Sequence, residues 1–505
     1  MQLNQIVEFF CKNPSLLDGP GTTIRTVETH ISIVLITERL VFKFKKAVKF
    51  PFVDQSQLGV RIHFCKQEVA LNSRTSPSVY KGVSFVHRDP SGYVLNSREQ
   101  GAIESCVVMR HLEDKFRLSE CTDQALDDEL LQRIALALSD FHRQATKLPA
   151  TARNFEAYYR ENLDTLANYS DLVPSSVLSQ AQELFGRYRT ACLARARKGR
   201  VVDGHGDLRL DHIYCFPDRI EIIDCVEFNA ELRAVDPYED LAFTLLGLRT
   251  SGDAGIAAAE RLTNLYFERG PDPVGLALLP LYVTYRALVR CKVDCLQLAQ
   301  CVERNQTAKV EYYRGRIRTY LMVLASIHDR KQEEPCIHVV AGLPATGKSK
   351  YADDLSRKMG LPVLSSDRVR KAMLGIAPAE VAGAGLYNGA YRSNTTRRTY
   401  RRLRAMIKFL TEIGINPIVD ASFSLREQRR KLILLAERLK ARIVFTVLDA
   451  DEEIIRKRLE IRSRNPSVSD VRSFELWKEI QARIEPVSED EFGSGFQIIR
   501  QRAAD

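Results

Sequence analysis

The last third of the chain opens with the stretch Ile337-His338-Val339-Val340-Ala341-Gly342-Leu343-Pro344-Ala345-Thr346-Gly347-Lys348-Ser349. An apolar strand candidate leads into the pattern G-x-x-x-x-G-K-S, and a helical stretch from about Lys350 to Lys358 follows. In such a loop the backbone N–H groups surround a phosphate, the lysine reaches the outer phosphates and the serine hydroxyl binds Mg²⁺. A chance glycine-rich turn is the alternative. We predict an ATP site formed by Gly342, Thr346, Gly347, Lys348 and Ser349, with Ser349 also a ligand of Mg²⁺.

Strand candidates and helical stretches alternate throughout the region around this loop. The strand candidates are 337–341, 362–365, 416–420, 442–448 and 496–500. This alternation is typical of a parallel sheet covered by helices on both faces. It predicts an α/β P-loop domain over residues 335–505.

The part of the chain before this region has a different pattern. Strand-like segments at 29–35, 40–44 and 105–109 precede a mainly helical region that contains a strand–loop–strand unit at 200–228. A small β-rich lobe followed by a large helical lobe indicates an α+β protein-kinase-like bilobal fold. The polar segment 328–335, which ends in proline, separates the two parts. We therefore predict two domains, 1–330 and 335–505.

The excess of basic residues lies in the second part. Residues 335–505 contain 31 Lys and Arg against 21 Asp and Glu, so they carry the whole net charge of +10. This excess favours a small-molecule or nucleotide-like anionic acceptor, although a solubilising surface charge explains it equally well. The eleven cysteines form no C-x-x-C pair, and neither a signal peptide nor a bilayer-spanning stretch is visible. We expect a cytoplasmic protein with no membrane partner; the oligomeric state does not follow from the sequence.

An H-G-D loop in the first part precedes an apolar strand candidate that ends in a carboxylate. The two segments are Gly204-His205-Gly206-Asp207 and Ile220-Glu221-Ile222-Ile223-Asp224. Kinase-like phosphotransferases use one such carboxylate to accept the proton of the acceptor hydroxyl and the other to hold the metal that bridges the ATP phosphates. We assign the first role to Asp207 and the second to Asp224.

Two other positions bear on this site. Five residues after Asp207, where such kinases usually place an asparagine as the second metal ligand, this chain has His212. His212 is a candidate metal ligand, because a neutral imidazole can bind a metal, although it suits Mg²⁺ poorly. In the β-rich part, Lys43 is the predicted ligand of the α- and β-phosphates, with Lys45 as the alternative and Glu68 of the next helix as partner. A solvated strand lysine is the other interpretation of Lys43.

Several segments of the first part resemble a known family. They are H-G-D-L-R-x-x-H-I, I-I-D-C-x-E-F-N, Asp236 with Asp240-Leu241-Ala242-Phe243, and Tyr285-Arg286-Ala287-x-Val289-Arg290-x-Lys292. They look like the aminoglycoside-phosphotransferase-like half of a two-part bacterial protein, in which this half is fused to a P-loop kinase half of ATP-binding or AAA type. The resemblance covers nearly the whole chain, and His212 belongs to this family's own variant of the loop. It implies a kinase-like fold and no particular substrate, because the family name describes kinship of fold.

After the second strand candidate of the P-loop part comes the segment Ser365-Ser366-Asp367-Arg368-Val369-Arg370. This S-D-x-x-R arrangement resembles the small kinases that include zeta toxins and polynucleotide 5′-kinases. The resemblance implies that Asp367 accepts the proton of an acceptor hydroxyl and that Arg370 steadies an anionic substrate. Capping of the following helix by Ser366 or Asp367 is the alternative.

The P-loop part contains further candidates for metal and phosphate binding. Asp420 ends an apolar run, as a carboxylate of the Walker-B type does, and is a predicted Mg²⁺ ligand through water. Arg458 and Arg462, in the pattern R-L-x-x-R, resemble the lid arginines that neutralise a transferring phosphoryl group in nucleotide kinases. Ordinary helix-face arginines are the alternative. A basic helix at about 397–410 has a face that suits RNA, although a solvated face is the simpler interpretation.

These motifs together predict an ATP-dependent kinase that phosphorylates a hydroxyl in its P-loop domain. A second kinase-like ATP site is expected in the N-terminal domain. Three alternatives remain open: a nucleic-acid 5′-hydroxyl kinase, an ATP-binding regulatory switch that releases no phosphorylated product, and a toxin-like sugar-nucleotide kinase.

Overall fold

The structure, a computed structural model, describes residues 2–50, 53–121, 126–328, 334–374, 376, 393–464, 471, 473–491 and 496–502. At 393, 462–464 and 489 it describes the backbone only. The chain forms two compact units, Met1–Gly255 with Leu281–Val323, and Ile256–Pro280 with Leu324–Asp505.

The first unit contains an antiparallel sheet and several short strand pairs. Its strands are β1 (Arg25–Glu28), β2 (Ser32–Ile36), β3 (Leu40–Lys45), β4 (Lys49–Phe50), β5 (Val53–Asp54), β6 (Tyr80–Asp89), β7 (Gly92–Asn96), β8 (Glu104–Arg110), β9 (Val202–Asp203), β10 (Ile213–Cys215), β11 (Ile220–Ile222) and β12 (Ala234–Val235). The six-stranded sheet has the order β1-β2-β3-β8-β6-β7. Along β3, Phe42 and Phe44 pack into the apolar core. Lys43 and Lys45 therefore project from the opposite face, since successive side chains of a strand alternate.

The predicted strand at 29–35 differs from the observed one because a hairpin turn occupies its first residues. The backbone N–H of Thr29 donates to the carbonyl of Ser32 at 2.9 Å, and the N–H of Ser32 donates to the Thr29 hydroxyl at 3.0 Å. The sequence pattern at 25–28 does not predict β1, whose four residues are all exposed. A fully exposed strand lacks the apolar alternation on which such a prediction depends.

Helices form the rest of this part of the chain. They are α1 (Gln2–Lys12), α2 (Ser15–Asp18), α3 (Leu58–Asn72), α4 (Leu118–Cys121), α5 (Asp128–Gln144), α6 (Phe155–Ala167), α7 (Ser175–Arg197), α8 (Ala230–Arg233), α9 (Pro237–Arg249), α10 (Gly252–Arg269), α11 (Pro273–Glu303) and α12 (Thr307–His328). The small sheet lobe and the helical lobe confirm the predicted bilobal kinase-like fold. By length and composition α11 could cross a membrane, but 78% of its most apolar stretch is buried inside the structure, as in the core helix of a globular protein.

The second unit contains the predicted parallel sheet. Its strands are β13 (Cys336–Gly342), β14 (Val363–Ser365), β15 (Ile418–Asp420), β16 (Arg442–Asp449) and β17 (Phe496–Arg502), in the order β14-β15-β13-β16-β17. All neighbouring pairs are parallel. The helices that accompany it are α13 (Lys348–Met359), α14 (Ser366–Leu374), α15 (Ser393–Glu412), α16 (Arg426–Leu439), α17 (Glu452–Arg464) and α18 (Phe474–Gln481). The α/β P-loop prediction is confirmed.

The segment 256–280 belongs to the second compact unit, although it precedes the P-loop region in the chain. Within this unit Arg261 binds Asp353 of α13 at 2.7 Å, and Glu268 pairs with Arg368 of α14. The domain boundary at residues 330–335 stays a prediction. The compact units differ from the predicted domains because they assign residues 256–280 to the second unit.

A buried arginine holds the loop that follows β15. The Arg429 side chain is fully buried and pairs with Glu491 at 2.7 Å, while its guanidinium also donates to the carbonyls of Phe423, Glu485 and Pro486. This loop starts directly after Asp420, so the network fixes the end of the strand that carries this carboxylate.

We expect Arg429→Met to lower the free energy of unfolding of the second unit by about 3 kcal/mol, because it leaves a buried carboxylate without its partner. Trp477, the single tryptophan of the chain, lies in this unit and reports its urea unfolding by fluorescence. The exposed neighbour Arg430 provides the control: Arg430→Met should leave the midpoint unchanged. Equal midpoints for both variants would contradict the role given to Arg429.

Candidate functional site

Two lysines of β3 meet one buried glutamate of α3. The Lys43 ammonium lies 2.9 Å from Glu68 Oε1 and 2.5 Å from Asp224 Oδ1. The Lys45 ammonium lies 2.7 Å from Glu68 Oε2 and also pairs with Glu227. Burial alone would lower the pKa of Lys43, but the carboxylates of Asp224 and Glu68 outweigh it and raise the pKa well above its usual value. Lys43 is therefore a permanent cation that pairs with Glu68 and Asp224, whereas Lys45 is enclosed at 1% exposure.

The carboxylate of Asp224 lies at the end of the segment that follows β11. Its backbone adopts φ 63°, a left-handed value that is uncommon for a residue other than glycine. The Asp224 N–H donates to the Tyr80 hydroxyl at 3.1 Å. Burial would raise the pKa of Asp224, but Lys43 and His212 outweigh it and lower the pKa. Asp224 is thus an ionised carboxylate held in a strained backbone conformation.

Hydrogen bonds determine which nitrogen of His212 carries the proton. Nδ1 lies 2.7 Å from the carbonyl oxygen of Asp207, which can only accept, so Nδ1 donates. Nε2 lies 2.8 Å from the Arg209 guanidinium, which can only donate, so Nε2 presents its lone pair. Nε2 also lies 3.4 Å from Asp224 Oδ2. Nε2 therefore lies between the Arg209 guanidinium and the Asp224 carboxylate.

Asp207 lies beside this imidazole. Its carboxylate accepts a hydrogen bond from Arg209 Nε at 3.0 Å. Burial would raise its pKa, but Arg209 and His212 outweigh it and lower the pKa. An ionised carboxylate at this position can accept a proton, which is the role that the sequence predicts for Asp207.

One carboxylate of α9 holds the H-G-D loop in place. Asp240 accepts the backbone N–H groups of His205 at 2.7 Å and Gly206 at 3.0 Å. Its Oδ2 also lies 3.3 Å from His142 Nε2. Gly206 has φ +83°, and an added Cβ would lie 2.7 Å from the carbonyl oxygen of Leu232, so no side chain fits there.

A cavity of about 1410 Å³ contains these groups. Lys43, Asp207, His212 and Asp224 all line it, whereas Glu68 and Lys45 lie behind its wall. The volume is large enough for a nucleotide and an acceptor together. Among the described residues no cluster of three or more His, Cys, Asp or Glu side chains could hold a metal. Mg²⁺ often binds through one or two carboxylates together with phosphate oxygens, and Asp224 fits that mode better than the nitrogen of His212 does.

The phosphate-binding loop lies between β13 and α13. Gly347 has φ 95° and precedes the first turn of the helix. Lys348 Nζ donates to the carbonyl of Leu343 at 2.6 Å, and Trp477 Nε1 donates to the carbonyl of Pro344 at 3.0 Å. Lys348 and Trp477 thus each donate a hydrogen bond to a carbonyl of the loop. The left-handed turn and the helix N-terminus form the cradle that a phosphate requires.

Ser349 and Asp420 form the oxygen pair expected of a Mg²⁺ site. The Ser349 hydroxyl donates to Asp420 Oδ2 at 2.8 Å, and Asp420 is buried at 6% exposure. A serine hydroxyl and a carboxylate are hard oxygen ligands that fit Mg²⁺. The structure thus brings together two of the predicted metal ligands.

Asp367 lies in the first turn of α14, which follows β14, and Arg370 lies in the next turn. Arg370 Nη1 lies 3.0 Å from Asp367 Oδ1, and Lys371 Nζ lies 3.5 Å from Oδ2. The helix begins at Ser366, so the capping alternative and the functional one both remain compatible with this position. Because β14, β15 and β13 are parallel neighbours, Asp367, Asp420 and the phosphate-binding loop share the carboxyl edge of the sheet.

The structure describes the side chain of only one of the two predicted lid arginines. Arg458 Nη1 donates to the carbonyl of Ala345 at 3.2 Å, so this side chain reaches the phosphate-binding loop. Arg462 lies in α17, but its side chain is outside the described residues.

Some groups of these sites were missed from the sequence. Glu227 pairs with Lys45, Asp240 holds the H-G-D loop, and Trp477 binds the phosphate-binding loop. The quoted family segments contain Glu227 and Asp240, but nothing in a single sequence indicates their partners. Trp477 lies more than a hundred residues from its contact.

The choice between the two lysines can be tested by ATP binding. We expect Lys43→Met to weaken ATP binding at the N-terminal site at least tenfold, because this ammonium faces the cavity. Lys45→Met should instead destabilise the first unit by about 3 kcal/mol, because it leaves buried carboxylates uncompensated. Calorimetry and circular dichroism, both in a Lys348→Ala background, separate the two effects. The reverse pattern would transfer the phosphate-binding role to Lys45.

His205 makes the stability of the first unit dependent on pH. Burial lowers the pKa of His205 to about 4. Below pH ~6.5 the unfolded chain therefore binds a proton on this imidazole, whereas the folded chain does not bind it until the pH is much lower. Stability should therefore fall by about 2 kcal/mol between pH 7 and pH 5 relative to His205→Gln. Circular dichroism in urea measures this, with the exposed His63→Gln as control. If the stability of the wild type and that of His205→Gln change equally between pH 7 and pH 5, the role given to His205 is wrong.

Comparison with known proteins finds a family match in the second part of the chain and relatives that match most of its length. Residues 337–487 match the family model described as AAA domain. Uncharacterized proteins of Mycobacterium tuberculosis and Mycobacterium bovis are 29% identical to this chain over 477 residues, which covers 90% of this chain and 89% of each relative.

Similar solved structures include a choline/ethanolamine kinase family protein from Mesorhizobium loti, with a TM-score of 0.40 and 16% identity. Another is aminoglycoside 2′-phosphotransferase-IIIa in complex with GDP, with a TM-score of 0.42 and 16% identity. Each covers 64% of this chain and 99% of the other. The match to a putative kinase from Chloroflexus aurantiacus covers 33% of this chain and 89% of the kinase, with a TM-score of 0.26 and 19% identity. The chain combines a bilobal kinase-like first part with a C-terminal region that matches the AAA domain model and contains a phosphate-binding loop.

Proposed function

We propose that the C-terminal domain transfers the γ-phosphate of ATP to a hydroxyl group of a small, anionic acceptor. The observation that carries this proposal is the common sheet edge of the phosphate-binding loop, the Ser349–Asp420 pair and Asp367. Phosphoryl transfer needs a phosphate cradle, oxygen ligands for a metal and a carboxylate for the acceptor proton, and this edge offers all three.

The residues at this edge of the sheet have different roles in the proposed reaction. Asp367 accepts the proton of the acceptor hydroxyl as that oxygen bonds to the γ-phosphorus and the bond from phosphorus to the β–γ bridging oxygen breaks, which releases ADP. Lys348 and Arg458 neutralise the charge on the transferring group, and Arg370 orients both Asp367 and the anionic acceptor. Mg²⁺ held by Ser349 and Asp420 would supply further charge neutralisation on the phosphate oxygens.

The N-terminal domain is proposed as a second ATP-dependent phosphotransferase site. Asp207 is ionised beside a large cavity, and Lys43 faces Asp224 at 2.5 Å. These groups match the parts of kinase-like enzymes: a base, a phosphate-binding lysine and a metal-binding carboxylate. His212 replaces the usual second metal ligand, so Asp224 would hold the metal.

A nucleic-acid 5′-hydroxyl kinase is the second candidate. It is favoured by α15, on which Arg397, Arg401 and Lys408 are exposed. Tyr400 and Leu403 of the same helix are buried, so no aromatic side chain is interleaved for base stacking at these positions. The third candidate, a regulatory switch, shares Lys348 and differs in needing no catalytic carboxylate. For the compartment we propose the cytoplasm, which suits the free cysteines.

Transfer of labelled γ-phosphate from ATP separates these candidates. We expect Asp367→Asn to lower transfer by at least about 10²-fold while ATP binding, followed by Trp477 fluorescence, is retained. The control is Asp354→Asn on α13, whose side chain is half exposed at 51%. Pooled metabolites and short 5′-hydroxyl RNA serve as acceptors.

Each outcome identifies a different function. Label that disappears only in Asp207→Asn would move the chemistry to the N-terminal site, for which the exposed Asp218→Asn is the control. Label on RNA alone would favour the nucleic-acid kinase. ATP binding without any labelled product would contradict phosphotransfer and leave the switch.

A further inference from the structure

A small cavity lies beside the loop that carries Asp207. Its volume is about 280 Å³. Its wall contains three cationic side chains, one carboxylate, that of Asp211, and hydroxyl and apolar side chains. The cationic and hydroxyl groups include Arg209, Arg290, Arg316, Thr250, Thr319 and Tyr320. Arg290 and Asp211 also line the large cavity that contains Asp207 and Asp224. A molecule whose reactive end lies at Asp207 can therefore extend past Arg290 into the small cavity.

On one wall of the small cavity, two guanidinium groups lie next to a single carboxylate. Arg290 Nη2 lies 3.6 Å and Arg316 Nε 2.9 Å from the same side chain, Asp294, which is buried at 1% exposure. Within the described ranges, Asp294 is the one carboxylate within 4.0 Å of Arg290. Two guanidinium groups thus share one anion. An oxyanion in the cavity would provide the second.

Arg209 connects this cavity to the catalytic loop. Its Nε donates to Asp207 Oδ2 at 3.0 Å, and its Nη1 lies 3.3 Å from Asp211 Oδ2. The same side chain lines the small cavity. The cavity therefore begins one side chain away from the carboxylate that we propose as the base.

We propose that the small cavity binds the anionic group, a phosphate monoester or a carboxylate, of a small-molecule acceptor whose hydroxyl is phosphorylated at Asp207. Guanidinium groups bind both anions through paired hydrogen bonds. The volume suits one such group with the few carbon atoms that carry it. A cationic acceptor would be repelled by Arg290 and Arg316. The acceptor role rests on the proposed phosphotransfer at the N-terminal site, whereas anion binding does not.

The test is calorimetric titration of inorganic phosphate, and separately of acetate, into the full-length Lys348→Ala protein. This background removes the lysine of the phosphate-binding loop. We expect Arg290→Gln to weaken binding at least tenfold, because it removes a charge-assisted contact. Arg314→Gln is the matched control, since Arg314 lies on the same helix as Arg316 but is 45% exposed. The anion whose affinity falls in Arg290→Gln identifies the group that the acceptor carries.

Thr319→Glu keeps the proposal testable if Arg290→Gln does not fold by circular dichroism. It places a carboxylate in the cavity wall and should also weaken anion binding at least tenfold. Equal affinities in Arg290→Gln, Thr319→Glu and Arg314→Gln would overturn the anion site. Anion binding that depends on Arg290, without any label transfer that depends on Asp207, would support the site and overturn the acceptor role alone.

Discussion

The N-terminal site depends on a single buried carboxylate, that of Asp240. It accepts two consecutive backbone N–H groups of the H-G-D loop and interacts with His142. Burial would raise the pKa of Asp240, but the hydrogen bond with His142 and the charge of Arg286 oppose it, and the pKa is lowered. A carboxylate that stays ionised inside the protein fixes the loop backbone, and the loop in turn fixes the position of Asp207. The proposed base is therefore positioned from α9, outside the loop that carries it.

The C-terminal site follows from a different constraint, the common direction of its strands. Parallel strands end at one edge of a sheet, so residues that follow three neighbouring strands meet there without a dedicated scaffold. The phosphate-binding loop follows β13, Asp420 ends β15, and Asp367 follows β14. Short distances such as that between Ser349 and Asp420 then need only the correct side chain at the correct strand end.

Sequence patterns predicted many elements that bury an apolar face, although not β6, which buries Phe85 and Val86, and they predicted residues that lie within a motif. All five strands of the parallel sheet belong to the first group, and Asp207, Asp224 and Lys348 belong to the second. The exposed strand β1 carried no such pattern. Alternation placed Lys43 and Lys45 on one face, but the distinction between them required their partners Asp224 and Glu227, which are about 180 residues away in the chain. Long-range pairing of this kind leaves no local trace in a single sequence.

The region that matches the AAA domain and the unit that folds around it have different boundaries. The match begins at residue 337, whereas the compact unit also includes 256–280, whose Arg261 and Glu268 pair with Asp353 and Arg368. Arg368 is the immediate neighbour of Asp367. A gene fragment cut at the sequence boundary would encode the whole phosphate-binding motif and leave out residues that support the helix carrying its proposed base. Recombination that treats the domain as an exchangeable module would separate partners that the folded protein keeps together.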